Sequence, residues 1–157
     1  MPQSVQLTNP TPQCNEPAIE SIRVGLIGYG HWGKNYARVL SELSQTQLVA
    51  IADQSTQAVQ KAAERHSQVF STTSIDEVLD SDELDAIVIA TSASTHHSLA
   101  GQALANGKHV IVEKPLALTS HQCQELVELA DTKELCLQVG HTFLYNDSVQ
   151  KIKQILY

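Results

Sequence analysis

Gly28-Tyr29-Gly30-His31-Trp32-Gly33 places glycine at the first, third and sixth positions of a six-residue stretch. That spacing suits a turn in which a polyanion can touch the backbone. Gly28 permits the tight turn, Gly30 lets the chain approach a pyrophosphate, and Gly33 lets the following helix lie close to the preceding strand. A helix opening there adds free N–H groups and the positive end of its dipole. Asp53 follows Gly33 by 20 residues. A carboxylate at that distance can accept hydrogen bonds from both hydroxyls of an adenosine ribose and repel a 2′-phosphate. The adjacent Gln54 and Ser55 supply no arginine, so NAD is favoured over NADP. Two plainer roles stay open: a strand-to-helix turn that binds nothing, and an Asp53 that only caps the next helix.

Three further strand ends carry polar residues: Thr91-Ser92, Glu113-Lys114-Pro115 and Gly140-His141. Ligands of open parallel sheets bind at the carboxyl ends of the strands. Lys114 there could orient a sugar hydroxyl or shuttle its proton, if burial and local charge lower its pKa. Judged alone, it reads as a solvated surface lysine. His96-His97 suggests a metal, but no acid or thiol lies close in sequence and adjacent helical side chains diverge. No metal site is expected, and His96 is assigned a polar contact near a helix start.

These residues need a scaffold that brings strand ends together. Residues 22–27 form a short apolar run ahead of the glycine turn, and a helix is predicted over 31–44, with Trp32, Tyr36, Val39, Leu40 and Leu43 at helical spacing. Strands are predicted at 48–52, 69–70, 86–90, 109–112 and 135–139. Helices are predicted from Ser55 to about 66, from a capping box at Ser74 to Glu77, over 95–106 with Gly107 as its stop, from Thr119 or Ser120, and from an Asp147 cap. Cys123, Leu126, Val127 and Ala130 are expected to share one helix face. Strands that alternate with helices and are continuously apolar predict an α/β fold: a doubly wound parallel sheet with helices on both faces.

The bulk numbers fit that design. The chain has 157 residues, 42% hydrophobic and 17% charged, which is about one ordinary domain. A net charge of −7 argues against nucleic acid as a partner. No apolar run approaches the roughly 20 residues of a membrane helix, and no secretory signal is apparent. Cys14, Cys123 and Cys136 form no C-x-x-C pair. Reduced thiols in the cytoplasm are expected, with Cys123 and Cys136 as small core residues. Residues 1–20 hold four of the five prolines and read as a disordered tail.

The stretch from Val24 through Gly28, Gly30 and Gly33 to Asn35 resembles the start of the Gfo/Idh/MocA family, which includes glucose–fructose oxidoreductase and inositol dehydrogenase. Thr95-His96 through Leu104, Gly107-Lys108-His109-Val110 and Glu113-Lys114-Pro115-Leu116 resemble its second signature. Val139-Gly140-His141-Thr142-Phe143-Leu144-Tyr145-Asn146 resembles the entry to its second domain. The wording is closest to the branch acting on nucleotide-linked N-acetyl sugars and their uronic acids. The resemblance implies a Rossmann-type domain over 21–140 and the start of a substrate domain over 141–157. It implies a cofactor groove formed by Gly28, Tyr29, Gly30, His31, Trp32, Gly33, Asp53, Thr91, Ser92, His96, Glu113 and Lys114. Lys114 and His141 would be catalytic, and Lys114, His141 and Tyr145 would face substrate. The bond before Pro115 is expected to be cis. Where the family often has proline after Thr91, this chain has Ser92.

The implied activity is hydride transfer between NAD and a sugar or nucleotide-sugar hydroxyl or ketone. The family continues with a second α/β domain, so this chain is expected to be truncated. The alternatives are an inactive nucleotide-binding module and a decayed gene product. Val149, Ile152, Ile155 and Leu156 would then be exposed, and a second copy or a complementing carboxyl-terminal fragment is the expected partner.

Overall fold

The computed structural model describes residues 21–156. The expected disordered tail and Cys14 lie outside the described residues. Six parallel strands form one sheet: β1 (Ile22–Ile27), β2 (Thr46–Ala52), β3 (Phe70–Thr72), β4 (Ala86–Ile89), β5 (His109–Val112) and β6 (Leu137–Val139). Their spatial order is β3-β2-β1-β4-β5-β6. The chain therefore reverses its direction of travel between β1 and β4, which opens a crevice at the carboxyl ends of those two strands.

Helices α1 (His31–Glu42), α2 (Thr56–Arg65), α3 (Ile75–Leu79), α4 (Ala93–Ala105) and α5 (Ser120–Thr132) connect the strands. Two cores result, one on each face of the sheet. Ile87 and Ile89 of β4 join one core, while Val88 between them joins the other. That alternation is the strand period of two. On β2, Val49 and Ala50 are neighbours yet pack with the same core. The pairing with β1 slips by one residue there, Val24 facing Leu48 and Gly25 facing Ala50. The extra residue is a bulge, and it restores the alternation for Ile51 and Ala52.

Several local expectations are corrected by the packing. On α1 the buried residues are Gly33, Ala37 and Leu40. Trp32, Val39 and Leu43 stand at least 39% exposed. Gly33 and Ala37, small and one turn apart, let the start of the helix lie close to the sheet, Leu40 fills the core one turn on, and the other large apolar residues fall on its flanks. On α5, Leu126 and Ala130 are buried but Val127 is exposed. Cys123 is only partly buried and Cys136 is exposed, so neither is a core residue.

Caps also differ in detail. Ser55 and Thr119 accept from Ala58 N and Gln122 N, as caps do. Ser74 makes no such bond. Thr72 takes that place: its hydroxyl donates to Glu77 at 2.6 Å and accepts from Ser74 N at 3.0 Å. Past β6 comes a 3-10 turn (Thr142–Tyr145), then α6 (Asp147–Leu156). Asn146, rather than Asp147, caps α6 by accepting from Ser148 N and Val149 N. This helix packs on the 3-10 turn and buries none of its residues.

Candidate functional site: a groove at the switch point

Gly28 N donates to Ala52 O at 2.8 Å, which ties the end of β1 to β2. Gly28 then turns with φ +96°, and a Cβ on it would stand 2.6 Å from Ala90 O. A Cβ on Gly33 would stand 1.9 Å from Gly28 O. No side chain fits there, so the glycine turn and the start of α1 are folded directly onto one another. A Cβ on Gly30 meets nothing within 4 Å. That position opens into the groove, where a side chain would occupy the space an anion needs.

The first helical bond of α1 runs from Lys34 N to Gly30 O at 3.3 Å. The earlier N–H groups, of His31, Trp32 and Gly33, therefore point out of the helix end. Neither a side-chain cap nor an acidic residue of the first turn competes for them. His31 and Trp32 pair edge to face, with ring centroids 5.9 Å apart, and both side chains are exposed. Tyr29 is different: its ring is buried beneath the turn, edge-on to His66 at 6.0 Å. It is not part of the groove lining.

Asp53 holds this turn in place. Its Oδ2 accepts from Tyr29 N at 2.7 Å and its Oδ1 from Ser55 N at 2.8 Å. The side chain both straps the glycine turn and steadies the entry to α2. Each carboxylate oxygen keeps a further lone pair for a hydroxyl. The groove beside it has a volume of about 390 Å³ and is walled by Gly28, Gly30, Asp53, Thr91 and Ser92, with Ile75 and Leu99 as apolar sides. Its described lining has no arginine or lysine. Both the size and the mixture of apolar walls with few polar groups suit a small-molecule site.

Thr91 and Ser92 sit at the opening of α4. The Thr91 and Thr95 hydroxyls are 2.8 Å apart, and the Thr95 hydroxyl donates to Ser92 O at 2.8 Å. Ser92 is the N-cap residue of α4 without bonding its backbone. His96 is 1% exposed, with Nδ1 2.7 Å from Pro115 O and Nε2 3.2 Å from Thr91 O. It joins two strand-end loops from behind and does not face the open groove. His97 lies 3.1 Å from Glu125 of α5. Among the described residues no three ligands are grouped for a metal.

The β5 end is partly closed and partly open. Glu113 is 6% exposed; its Oε1 accepts from the Tyr36 hydroxyl at 3.0 Å and its Oε2 from Lys114 N at 3.3 Å. Burial, the bond to Glu113 and its negative charge push the Tyr36 phenol well above its usual range, so it stays protonated and donating. The Lys114–Pro115 bond is cis. Lys114 and His141 are exposed, and Tyr145 is 74% exposed. The structure thus brings together the residues from Gly28 to Ser92, and leaves Lys114, His141 and Tyr145 in solvent.

Tyr36 and the apolar pair Ile75 and Leu99 were not expected at the site. Tyr36 counted only as an apolar helix position, because nothing in the spacing of α1 tells which strand end its second turn faces. For Ile75 and Leu99, likewise, only the crossing of α3 and α4 over the sheet brings them to one groove.

Comparison with known proteins agrees with this geometry. Residues 22–141 match the model of the Gfo/Idh/MocA oxidoreductase family, NAD-binding Rossmann fold. UDP-N-acetylglucosamine 3-dehydrogenase of Acidithiobacillus ferrooxidans is 33% identical over 134 residues, covering 85% of this chain and 41% of that protein. The crystal structure of GenD2 from gentamicin A biosynthesis, in complex with NAD, superimposes with a TM-score of 0.77 at 32% identity, covering 81% of this chain and 36% of that one. The structure of KijD10, a 3-ketoreductase from Actinomadura kijaniata, in complex with TDP-benzene and NADP, gives 0.81 at 27% identity, covering 87% and 43%. The chain spans about two fifths of the length of these relatives.

Proposed function

This chain belongs to the Gfo/Idh/MocA oxidoreductase family with its NAD-binding Rossmann fold, and from there we propose that residues 21–140 hold NAD along the switch-point crevice while residues 141–157 begin a substrate-facing region. The observation that carries the proposal is the glycine turn strapped to β2 by Asp53, with an uncapped helix end beside it. The pyrophosphate is assigned to the N–H groups of His31, Trp32 and Gly33, and the adenosine ribose to Asp53. Without arginine or lysine in the described lining, a 2′-phosphate would meet only the Asp53 charge, which favours NAD over NADP.

With the adenosine half over β2 and the diphosphate at β1, the other half of a dinucleotide lies over the ends of β4 and β5. Thr91, Ser92, Glu113 and Lys114 stand there. When bound, the nicotinamide supplies a carbon that accepts or returns a hydride. The chain's own part is to orient the two reactants and to move one proton. Lys114 Nζ is assigned that proton, taken from a sugar hydroxyl as it becomes a ketone or given back in reverse. His141 and Tyr145 are assigned to substrate contact. A nucleotide-sugar substrate is supported by the relative named UDP-N-acetylglucosamine 3-dehydrogenase, and hydroxyl–ketone chemistry also by the one named a 3-ketoreductase.

A second reading, a nucleotide-binding module without turnover, is favoured by the exposure of Lys114, His141 and Tyr145. Proton transfer and orientation weaken in an open, wet site. The exposed apolar side of α6 supports a partner there, a second copy or a carboxyl-terminal fragment. A cytoplasmic setting is proposed from the free thiols Cys123 and Cys136. No described helix is long and apolar enough to cross a membrane.

Fluorescence titration of the chain with NADH tests the binding reading. Saturable binding, tighter for NADH than for NADPH, is expected; no saturation at millimolar cofactor overturns it. Product from UDP-N-acetylglucosamine and NAD with this chain alone would remove the module reading.

A further inference from the structure

Glu113 is a carboxylate enclosed at the carboxyl end of β5, 6% exposed, with both oxygens accepting hydrogen bonds. None of the ion pairs among the described residues involves it. Its side chain is held by Tyr36, which reaches across from α1, and Gly140 closes the pair from the β6 side. A Cβ on Gly140 would stand 2.8 Å from the Tyr36 Oη and 3.1 Å from Glu113 Oε1. Three elements thus converge to fix one buried negative charge. Such a charge is costly to bury, and its field is poorly screened compared with that of an exposed group.

The reading above lays the nicotinamide half of the cofactor over the ends of β4 and β5, and the inference rests on that reading. The ring carries a positive charge in NAD+ and none in NADH. We propose that Tyr36 is a positioning residue that clamps the Glu113 carboxylate at the nicotinamide end, where its fixed charge favours the oxidised cofactor over the reduced one. Lys114, the neighbouring cation, is exposed, so water screens its opposing charge more strongly.

Calorimetric titration with ADP-ribose, NAD+ and NADH tests this on the whole chain and on Tyr36→Phe, Glu113→Gln and Gly140→Ala. ADP-ribose lacks only the nicotinamide ring and reports the adenosine, the diphosphate and the second ribose. All three variants are expected to hold it within about twofold of the unaltered chain, and to lose roughly threefold to tenfold of the preference for NAD+ over NADH. A purely structural role for Tyr36 would weaken all three ligands together and leave the preference unchanged. That result in Tyr36→Phe overturns the proposal. If that variant does not fold, Gly140→Ala, which parts the same pair from the other side, decides in the same way. Failure of ADP-ribose to bind the unaltered chain overturns the groove reading and this inference with it. Normal ADP-ribose binding with an unchanged preference in the variants removes the inference alone.

Discussion

At the β1–β2 side of the sheet the polar groups that shape the groove are tied down, whereas beyond β5 the candidate reacting groups stand free. Asp53 is bonded through both oxygens, and the glycine turn touches α1 backbone to backbone. Lys114, His141 and Tyr145 are exposed, and α6 buries nothing. The first region needs only local neighbours: a strand, a turn, a helix and the adjacent strand. The second has its candidate groups in solvent. Binding a nucleotide and transforming a substrate are thus separable demands on this fold, and the parts for the first fall within residues 22–141, which match the family's NAD-binding Rossmann model.

If that contrast is right, damage at the turn is the most severe. Gly33→Val places branched carbon where a Cβ already stands 1.9 Å from Gly28 O. A loss of at least ~100-fold in NADH affinity is expected, or a chain destabilised by more than ~3 kcal/mol, read by fluorescence titration and thermal melting. Ordinary affinity and melting in this variant would show that the turn is not closed as described.

Asp53→Ala comes next. It leaves Tyr29 N and Ser55 N without their acceptor and takes away the proposed ribose contact. Affinity for NADH is expected to fall by roughly tenfold to a hundredfold, the range for hydrogen bonds to a charged group. Melting should fall more modestly, since Ser55 still caps α2. An unchanged dissociation constant would confine Asp53 to the role of a strap.

A smaller effect sharpens the same side. The half-buried His66 ring beneath the turn has its Nε2 enclosed without a hydrogen-bond partner. Its pKa lies below the usual 6.5, chiefly through burial and secondly through Arg65. The unfolded chain therefore takes up this proton first. The stability held with His66 neutral is full above about 6.5 and declines as pH falls from there toward the lower folded value. His66→Asn should flatten that part of the curve of melting temperature against pH. An identical slope in both proteins would contradict the assignment.

The smallest change in the fold is expected on the open side. Ile152→Glu with Ile155→Glu should leave melting within about 2 °C, because exposed positions carry little stability. Light scattering should show less self-association, since both isoleucines are more than half exposed. A large drop in melting temperature would mean that α6 supports the fold, and the contrast between the two regions would fail.

Much of this was legible beforehand, and the physical reason is locality. The glycine spacing, Asp53, the Ser55 and Thr119 caps and the Gly107 stop each act within a few residues or one strand-turn-helix unit. Apolar runs alternating with helical periods were enough for a parallel α/β sheet. The strand ends moved by a residue or two, because pairing with a neighbour sets where a strand stops. The capping box at Ser74 did not form, because Thr72 from the preceding strand was better placed for both partners.

What the residue order determined by itself is therefore the kind of fold, the glycine turn and the acid that straps it, since those depend on short-range geometry. Only the folded arrangement decided which side chains meet across the sheet. Tyr36 and Glu113 are 77 positions apart and bonded, and His96 lies buried between Thr91 and Pro115. Such meetings depend on strand order, and no stretch of chain shorter than the whole sheet specifies that.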